Sequence, residues 1–262
     1  MSAQSQSHSL SSGDIHAFHD ALAAGRFDAL LFDLDGVLTP TSDLHRRAWR
    51  MLFEPVLRAH GAQPYSEDDY FAHIDGRPRI DGVRALLEAR GIHLAEGDPE
   101  DSGKLDTIYS MSEHKNDLFT QILEEEGIQA YPGTQAYLDY LQKFPQVRLA
   151  VVSSSKNAEQ ILQMANLSRY FVAVVDGKVA ARDGIAGKPA PDTYVRAAEI
   201  LGTTPDRAVV VEDAISGVAA GAAGGFAHTI GVNRGAGRGE LADAGATLIV
   251  DDLAELVVEG EG

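Results

Sequence analysis

Apolar positions along this chain follow two rhythms. Phe27-Asp28-Ala29-Leu30-Leu31-Phe32 is a short apolar run that reads as a buried strand. Just before it, Ile15, Phe18 and Leu22 share one helical face, and Asp14 is placed to cap that helix. From residue 44 to about residue 126 the pattern is mostly helical, with no convincing buried strand, and Tyr131-Pro132-Gly133 punctuates its end. After that, strands are predicted over 147–152, 171–175, 208–211, 227–232 and 247–250, and helices over 158–164, 191–201 and 215–223.

Apolar strands that alternate with helices imply a parallel sheet covered on both faces. The predicted class is α/β: a doubly wound, Rossmann-like parallel-sheet core with an inserted α-helical cap domain, the insert being the long helical block after the first strand. The expected division is a tail and short helix over 1–25, a core over 26–40 and 130–262, and a cap over 41–129. A chain of 262 residues, 44% hydrophobic, supports one ordinary core and a second small one.

The formal net charge of −17 argues against nucleic acid or an anionic membrane as partner, and leaves room for a small phosphorylated substrate held in a local basic pocket. The sequence has no cysteine, which removes disulfides and thiolate chemistry. Residues 1–13 are rich in Ser and Gln and read as a disordered tail, not a signal peptide, and no apolar run has the length of a membrane span. A cytoplasmic monomer is expected.

In such a sheet, ligands bind beyond the carboxyl ends of the strands. Asp33 with Asp35, Ser153-Ser154-Ser155, and Glu212 with Asp213 fall at such ends, and Lys188 lies in the loop Gly187-Lys188-Pro189 before a helix. Acidic groups converging on one edge repel each other unless a cation intervenes, and hard oxygen donors without neighbouring His or Cys favour Mg²⁺. A divalent ion, a lysine and a serine hydroxyl together suit a phosphoryl group. Gly36 lets the chain bend after Asp35, so that one carboxylate attacks phosphorus while the other handles protons.

The order Asp-Leu-Asp-Gly-Val, strand-Ser, Lys-Pro and Glu-Asp resembles the four motifs of the haloacid dehalogenase superfamily, over a span from about residue 27 to residue 252. Within it the chain is similar to the β-phosphoglucomutase branch. The matching strings are Thr39-Pro40-Thr41 on to His45 and Trp49, Asp75-Gly76-Arg77-Pro78-Arg79, Lys115-Asn116-Asp117, Ser153-Ser154-Ser155-Lys156-Asn157, Gly187-Lys188-Pro189-Ala190-Pro191-Asp192 and Glu212-Asp213-Ala214-Ile215-Ser216-Gly217-Val218.

The resemblance implies Asp33 as nucleophile, Asp35 as acid and base with His45 near it, Lys188 steadying charge, and Ser153 donating to phosphate. Mg²⁺ would be held by Asp33, the Asp35 carbonyl, Asp213 and Glu212. It implies that Arg79, Ser155 and Asn157 grip a second, non-reacting phosphate with Lys115 adding charge, and it puts Thr41, Gly76, Arg77, Asn116, Ser154 and Lys156 in the substrate-binding set. Two departures bear on sugar specificity: an acidic residue often stands in the family at Pro40, and a neutral pair at Arg77-Pro78. The stretch 91–113 also looks long and acidic. The implied reaction is isomerisation of a sugar 1-phosphate to its 6-phosphate. The alternatives are a sugar-phosphate phosphatase built on the same core, and a non-catalytic phosphate-binding protein, against which the intact Asp33, Asp35 and Lys188 argue.

Other patterns fail on their spacing. Residues 97–104 are one residue too long for a phosphate loop, and Leu105 stands where Ser or Thr is required. Residues 235–239 lack the last glycine of a dinucleotide fingerprint and read as a flexible surface loop. His16, His19, His60, His73, His93, His114 and His228 are scattered and suggest no zinc site.

Overall fold

Ala29, Leu30, Leu31 and Phe32 are all fully buried, which requires a strand covered on both faces. In the computed structural model, which describes residues 12–98 and 105–258, they form β1 (Ala29–Phe32) in the middle of a six-stranded sheet. The others are β2 (Arg148–Val152), β3 (Ala173–Val175), β4 (Ala208–Glu212), β5 (His228–Val232) and β6 (Leu248–Val250). Their order is β3-β2-β1-β4-β5-β6 and every pairing is parallel. The chain builds outward from β1 to β3, then crosses back to β4 on the other side of β1. That reversal opens a crevice beside β1.

The two faces of the sheet alternate with period two. Leu30, Phe32, Val151, Val209 and Val211 pack with Phe18 and Leu22 of α1 (Ser12–Ala23), Tyr137 and Leu138 of α6 (Pro132–Leu141), and Ile161 of α7 (Ala158–Met164). Ala29, Leu31, Ala150 and Val210 pack with Tyr194 and Ala197 of α9 (Asp192–Ile200) and Ala220 of α10 (Ile215–Ala223).

Between β1 and α6 the chain makes α2 (Thr41–Ala59), α3 (Glu67–His73), α4 (Arg79–Ala89) and α5 (Ile108–Glu126). These helices bury a cluster of their own around Trp49, Leu52, Phe53, Leu86 and Met111. Capping boxes at Ser66 with Asp69 and at Thr107 with Ser110 start α3 and α5. A partly buried ion pair at 2.6 Å joins Arg90, just past α4, to Asp69 of α3. The two clusters are not sealed from one another along the helices: Leu44 and Ala48 of α2, and Phe119, Ile122 and Leu123 of α5, belong to the cluster that reaches the sheet. The insert is therefore rooted in the core at one end of its two long helices.

The predicted order of strands and helices is observed, with several corrections at the edges. Asp14 sits inside the first turn of α1, which already begins at Ser12, and not at the position before the helix. Pro132 starts a helix instead of merely closing the preceding block, since proline suits the first helical turn. α8 (Gly177–Asp183) went unpredicted because it buries no side chain and has no apolar stripe; Asp176 caps it by accepting from the Lys178 and Val179 amides. The stretch read as a loop over 235–239 ends in a helix, since Arg238 and Gly239 open α11 (Arg238–Asp243), of which only Leu241 is buried. Of the tail expected over 1–13, residues 1–11 lie outside the described residues, as does most of the discarded phosphate-loop pattern, while residues 12 and 13 belong to α1. Among the described residues no helix is long and apolar enough to cross a membrane.

Candidate active site

Parallel registration of β1 with β2 and β4 sets Phe32 beside Val151 and Val211, so the residues that follow emerge together at one sheet edge. Asp33 continues the ladder for one step, its amide donating to the Val211 carbonyl (2.9 Å). Its Oδ1 accepts from Lys188 Nζ at 2.5 Å. Lys188 also donates to Glu212 Oε1 (2.6 Å) and the Val152 carbonyl (3.2 Å), which uses all three ammonium hydrogens. Glu212 is fully buried. Besides Lys188 it accepts from the Tyr194 hydroxyl (3.0 Å) and from the amides of Asp213 and Ala214 (2.9 Å each). Burial opposes the Lys188 charge, but Asp33 and Glu212 outweigh it and push its pKa well above the ordinary lysine value.

The chain turns sharply at Gly36, whose φ of +95° suits glycine and whose missing side chain leaves space taken by the Asp213 carboxylate. The Gly36 amide donates to the Thr39 carbonyl (2.8 Å), closing the turn. Asp35 is thereby aimed away from Asp33. Its carboxylate accepts from Thr41 Oγ1 (2.5 Å) and Ser153 Oγ (3.2 Å), and His45 Nε2 stands 3.4 Å from its Oδ1. The His45 ring stacks on Phe119 at 4.0 Å. Lys115 Nζ contacts His45 Nδ1, which leaves Nε2 as the ring nitrogen that faces Asp35.

The two aspartates consequently differ. Burial raises Asp33 well above the usual carboxylate range, with Glu212 and Asp35 adding to the effect and Lys188 opposing it. Burial also acts on Asp35, but His45, Thr41 and Lys115 overcome it and bring Asp35 down to about 2.

Ligand oxygens of Asp33, Glu212 and Asp213 all lie within 4.8 Å of one another. Burial raises Asp213 well above its usual range, and Glu212, Asp75 and Asp33 raise it further. One lysine does not offset this concentration of carboxylates. The hard oxygen set fits a divalent cation of the Mg²⁺ type. Glu212 already accepts four hydrogen bonds, so Asp33 and Asp213 have the freer lone pairs. The Asp35 carboxylate is turned toward Thr41 and Ser153, outside this trio.

The insert supplies the opposite wall of a cavity of about 360 Å³. Asp33, Asp35, His45, Gly76, Arg77, Arg79, Lys115, Asn116, Ser153, Ser154, Ser155, Lys156, Asn157, Glu212 and Asp213 line it. Thr41 and Lys188 stand behind this lining, each bonded to one of the aspartates. The loop between α3 and α4 is fastened to the core: Ser154 Oγ donates to the Gly76 carbonyl (3.0 Å) and Ser216 Oγ to the Asp75 carbonyl (3.2 Å). Arg79, at the start of α4, donates to Ser112 Oγ (3.0 Å) and to Glu113 Oε1 (2.7 Å). Asn157 Nδ2 donates to Asn116 Oδ1 (2.9 Å), and Ser155 Oγ accepts from the Asn157 amide (3.1 Å). Arg77 and Lys156 are exposed at the rim. Lys115 is 3% exposed and turned inward, its Nζ 5.0 Å from the ring centres of Trp49 and Phe119. Burial and Arg79 drive it well below the ordinary lysine value.

Three lining or supporting residues carried no role in the sequence. Tyr194 fixes Glu212 from a helix behind the sheet, a contact no local pattern signals. Asp75 and Tyr70 line the cavity together. Burial, then Glu212, pushes Asp75 up to about 6. Its place in the string before Gly76 was the one available hint.

Residues 27–225 match the haloacid dehalogenase-like hydrolase family. The chain is 44% identical over 240 residues to β-phosphoglucomutase of Mycobacterium bovis, covering 87% of this chain and 91% of that protein. It is 32% identical over 235 residues to hexitol phosphatase A of Escherichia coli, covering 89% and 94%. The crystal structure of β-phosphoglucomutase from Clostridium difficile has the same fold, with a TM-score of 0.71 at 24% identity over 88% of this chain and 93% of that one.

Proposed function

We propose that this chain, which belongs to the haloacid dehalogenase-like hydrolase family, is a sugar-phosphate mutase that converts β-glucose 1-phosphate to glucose 6-phosphate. The observation that supports this reading is that Arg79, Lys115, Ser155 and Asn157 line the same cavity as Asp33 and Asp35. Arg79, Ser155, Asn157 and Lys115 are not needed to attack phosphorus at Asp33, but they suit a substrate with phosphate at both ends. In this reading residues 41–129 are a cap that closes over a core made of 26–40 and 130–262, excluding water.

Asp33 carries a phosphoryl group as an aspartyl-phosphate. The sugar 6-hydroxyl attacks that phosphorus, Asp35 takes the hydroxyl proton, and Asp33 leaves as carboxylate. The resulting bisphosphate turns over. Asp33 then attacks the 1-phosphate while Asp35 returns its proton to the departing sugar oxygen, which releases the 6-phosphate and restores the phosphoenzyme. The low Asp35 pKa keeps that carboxylate ionised and open to the hydroxyl proton in the first step. The His45 ring beside it, held neutral by burial and Lys115, keeps a donor on the carboxylate without adding a full charge. Lys188 steadies Asp33, and Ser153 is placed to donate to a phosphoryl oxygen. Asp33, Asp213, the Asp35 carbonyl and Glu212 would hold Mg²⁺, which would offset phosphoryl charge.

The second reading, a sugar-phosphate phosphatase, is favoured by the similarity to hexitol phosphatase A. Incubation with β-glucose 1-phosphate and a trace of the 1,6-bisphosphate, following both products, separates the two. Glucose 6-phosphate should accumulate with little free phosphate. Free phosphate released in step with substrate loss would place the phosphatase first.

A further inference from the structure

Arg234 follows β5, outside every motif used above, yet it reaches the turn that carries both aspartates. Its Nε donates to the Gly36 carbonyl (3.1 Å). Its two terminal nitrogens donate to the Asp251 carbonyl and to Asp252 Oδ2, each at 3.0 Å. The flat face of its guanidinium covers the Tyr131 ring, 4.0 Å from the centre. One side chain thus ties four segments together: the Asp33-to-Gly36 turn, the return from the helical insert at Tyr131, the end of β5 and the turn after β6.

Two of those segments are where the chain leaves and re-enters the core. The Tyr131 amide donates to the Leu38 carbonyl (3.2 Å) and Thr134 Oγ1 to the Val37 carbonyl (3.0 Å), so the outgoing and returning segments are joined side by side. Gly36 is also the residue on which the Asp213 carboxylate rests. Its amide is held by Thr39 and its carbonyl by Arg234, so neither peptide plane is free to rotate against Asp213. A guanidinium suits this task because its fork is planar and always charged, and can donate in three directions while stacking.

We propose that Arg234 is a positioning residue for the cation site: by fixing the Gly36 carbonyl it keeps the seat of Asp213 in register with Asp33. The inference rests on reading Asp33, Glu212 and Asp213 as a metal site. Arg238 is its matched control. It donates to the Ile249 carbonyl (2.7 Å) and pairs with Asp251 (3.0 Å), the same corner of the fold, without touching Gly36 or Tyr131.

Titration calorimetry of Mn²⁺ into the full-length protein and the variants Arg234→Ala, Arg234→Lys and Arg238→Ala tests this, with melting temperature measured in parallel. Loss of a partner that orients a ligand typically weakens metal binding by roughly tenfold or more. Arg234→Ala should show that loss, Arg234→Lys should recover part of it, and Arg238→Ala should bind Mn²⁺ as the unaltered protein does despite any fall in melting temperature. Unchanged affinity in Arg234→Ala, or an equal loss in Arg238→Ala, overturns the proposal. Absence of Mn²⁺ binding by the unaltered protein overturns the metal reading beneath it.

Discussion

The sheet edge and the helical insert face each other across one cavity and treat charge in opposite ways. At the sheet edge, the buried Lys188 and Glu212 are matched by partners. Lys188 spends three donors on three acceptors, and Glu212 receives four hydrogen bonds. On the insert side, Lys115 is buried against a histidine and two aromatic rings and is driven below its ordinary pKa, while Arg79 leans on the half-exposed Glu113. The Lys188–Glu212 network is set before substrate arrives, and the carboxylate charge it leaves over calls for a cation. The insert side has cationic capacity that a bound anion would complete. Under the proposed function, this difference assigns reaction chemistry to the core and substrate choice to the insert wall.

The largest test of this contrast is Asp33→Asn. It keeps size and most hydrogen-bonding capacity but removes the attacking charge, so turnover should fall by roughly ten-thousandfold or more. The base-labile phosphoprotein signal should vanish while circular dichroism stays unchanged. Full activity in pure variant protein would move the nucleophile elsewhere.

Metal removal comes next, and its pH dependence carries a sign. The folded pKa values of Asp33, Asp75 and Asp213 are raised, Asp75 to about 6. Between the unfolded carboxylate range and these raised values the folded state binds more protons. Stability of the cation-free protein should therefore fall as pH rises from about 4 through 6. Asp35, at about 2, acts the other way: its contribution is present above about 4 and is lost only toward pH 2. Chelator should abolish turnover, and Mg²⁺ should restore it. Mg²⁺ should also raise the melting temperature more at pH 7.5 than at pH 5. An Mg²⁺ shift that is equal at both pH values would show that the carboxylates are not what the cation relieves.

Arg79→Ala probes the insert wall. A charge-assisted contact to phosphate is worth roughly 1.5–3 kcal/mol, or about ten- to a hundredfold in rate if fully used in the transition state. Isomerisation should drop by about that factor, while hydrolysis of acetyl phosphate, which has no second phosphate, should change much less. Equal losses in both assays would remove Arg79 from the role of distal clamp and favour the phosphatase reading.

The two regions also differ in how far the sequence disclosed them. The strands were legible because each is a short apolar run stopped by a polar residue, and those stops are the chemistry: Asp33 after Phe32, Ser153 after Val152, Glu212 after Val211. The insert was legible as helices from its pattern, and as a wall only through the resemblance carried by strings such as Asp75 to Arg79 and Lys115 to Asp117. Lys115 sits among Glu113, His114, Asn116 and Asp117, the composition of a solvated face, and only the approach of Trp49 and His45 on α2 buries it. Tyr194 and Arg234 reach the site from far beyond Asp33 in the chain, and no local spacing encodes such contacts.

The smallest expected effect lies at the join between the regions. Ser216 and Ser154 each donate one hydroxyl hydrogen to a carbonyl of the insert loop, and neither partner is charged. Such a bond is worth about 1 kcal/mol net, or about fivefold in the balance between a docked and an undocked insert. Ser216 lies outside the proposed chemical machinery, so Ser216→Ala isolates docking from catalysis. Once saturating substrate has pulled the insert shut, the chemical step is untouched. KM should then rise a few-fold with kcat nearly unchanged, and the share of turnover lost as free phosphate should increase as water gains access to the aspartyl-phosphate. The same substitution with Ser154→Ala should deepen both effects in the same direction. A fall in kcat alone, with KM and product ratio unmoved, would mean that these serines serve the reacting groups and that the insert closes by other contacts.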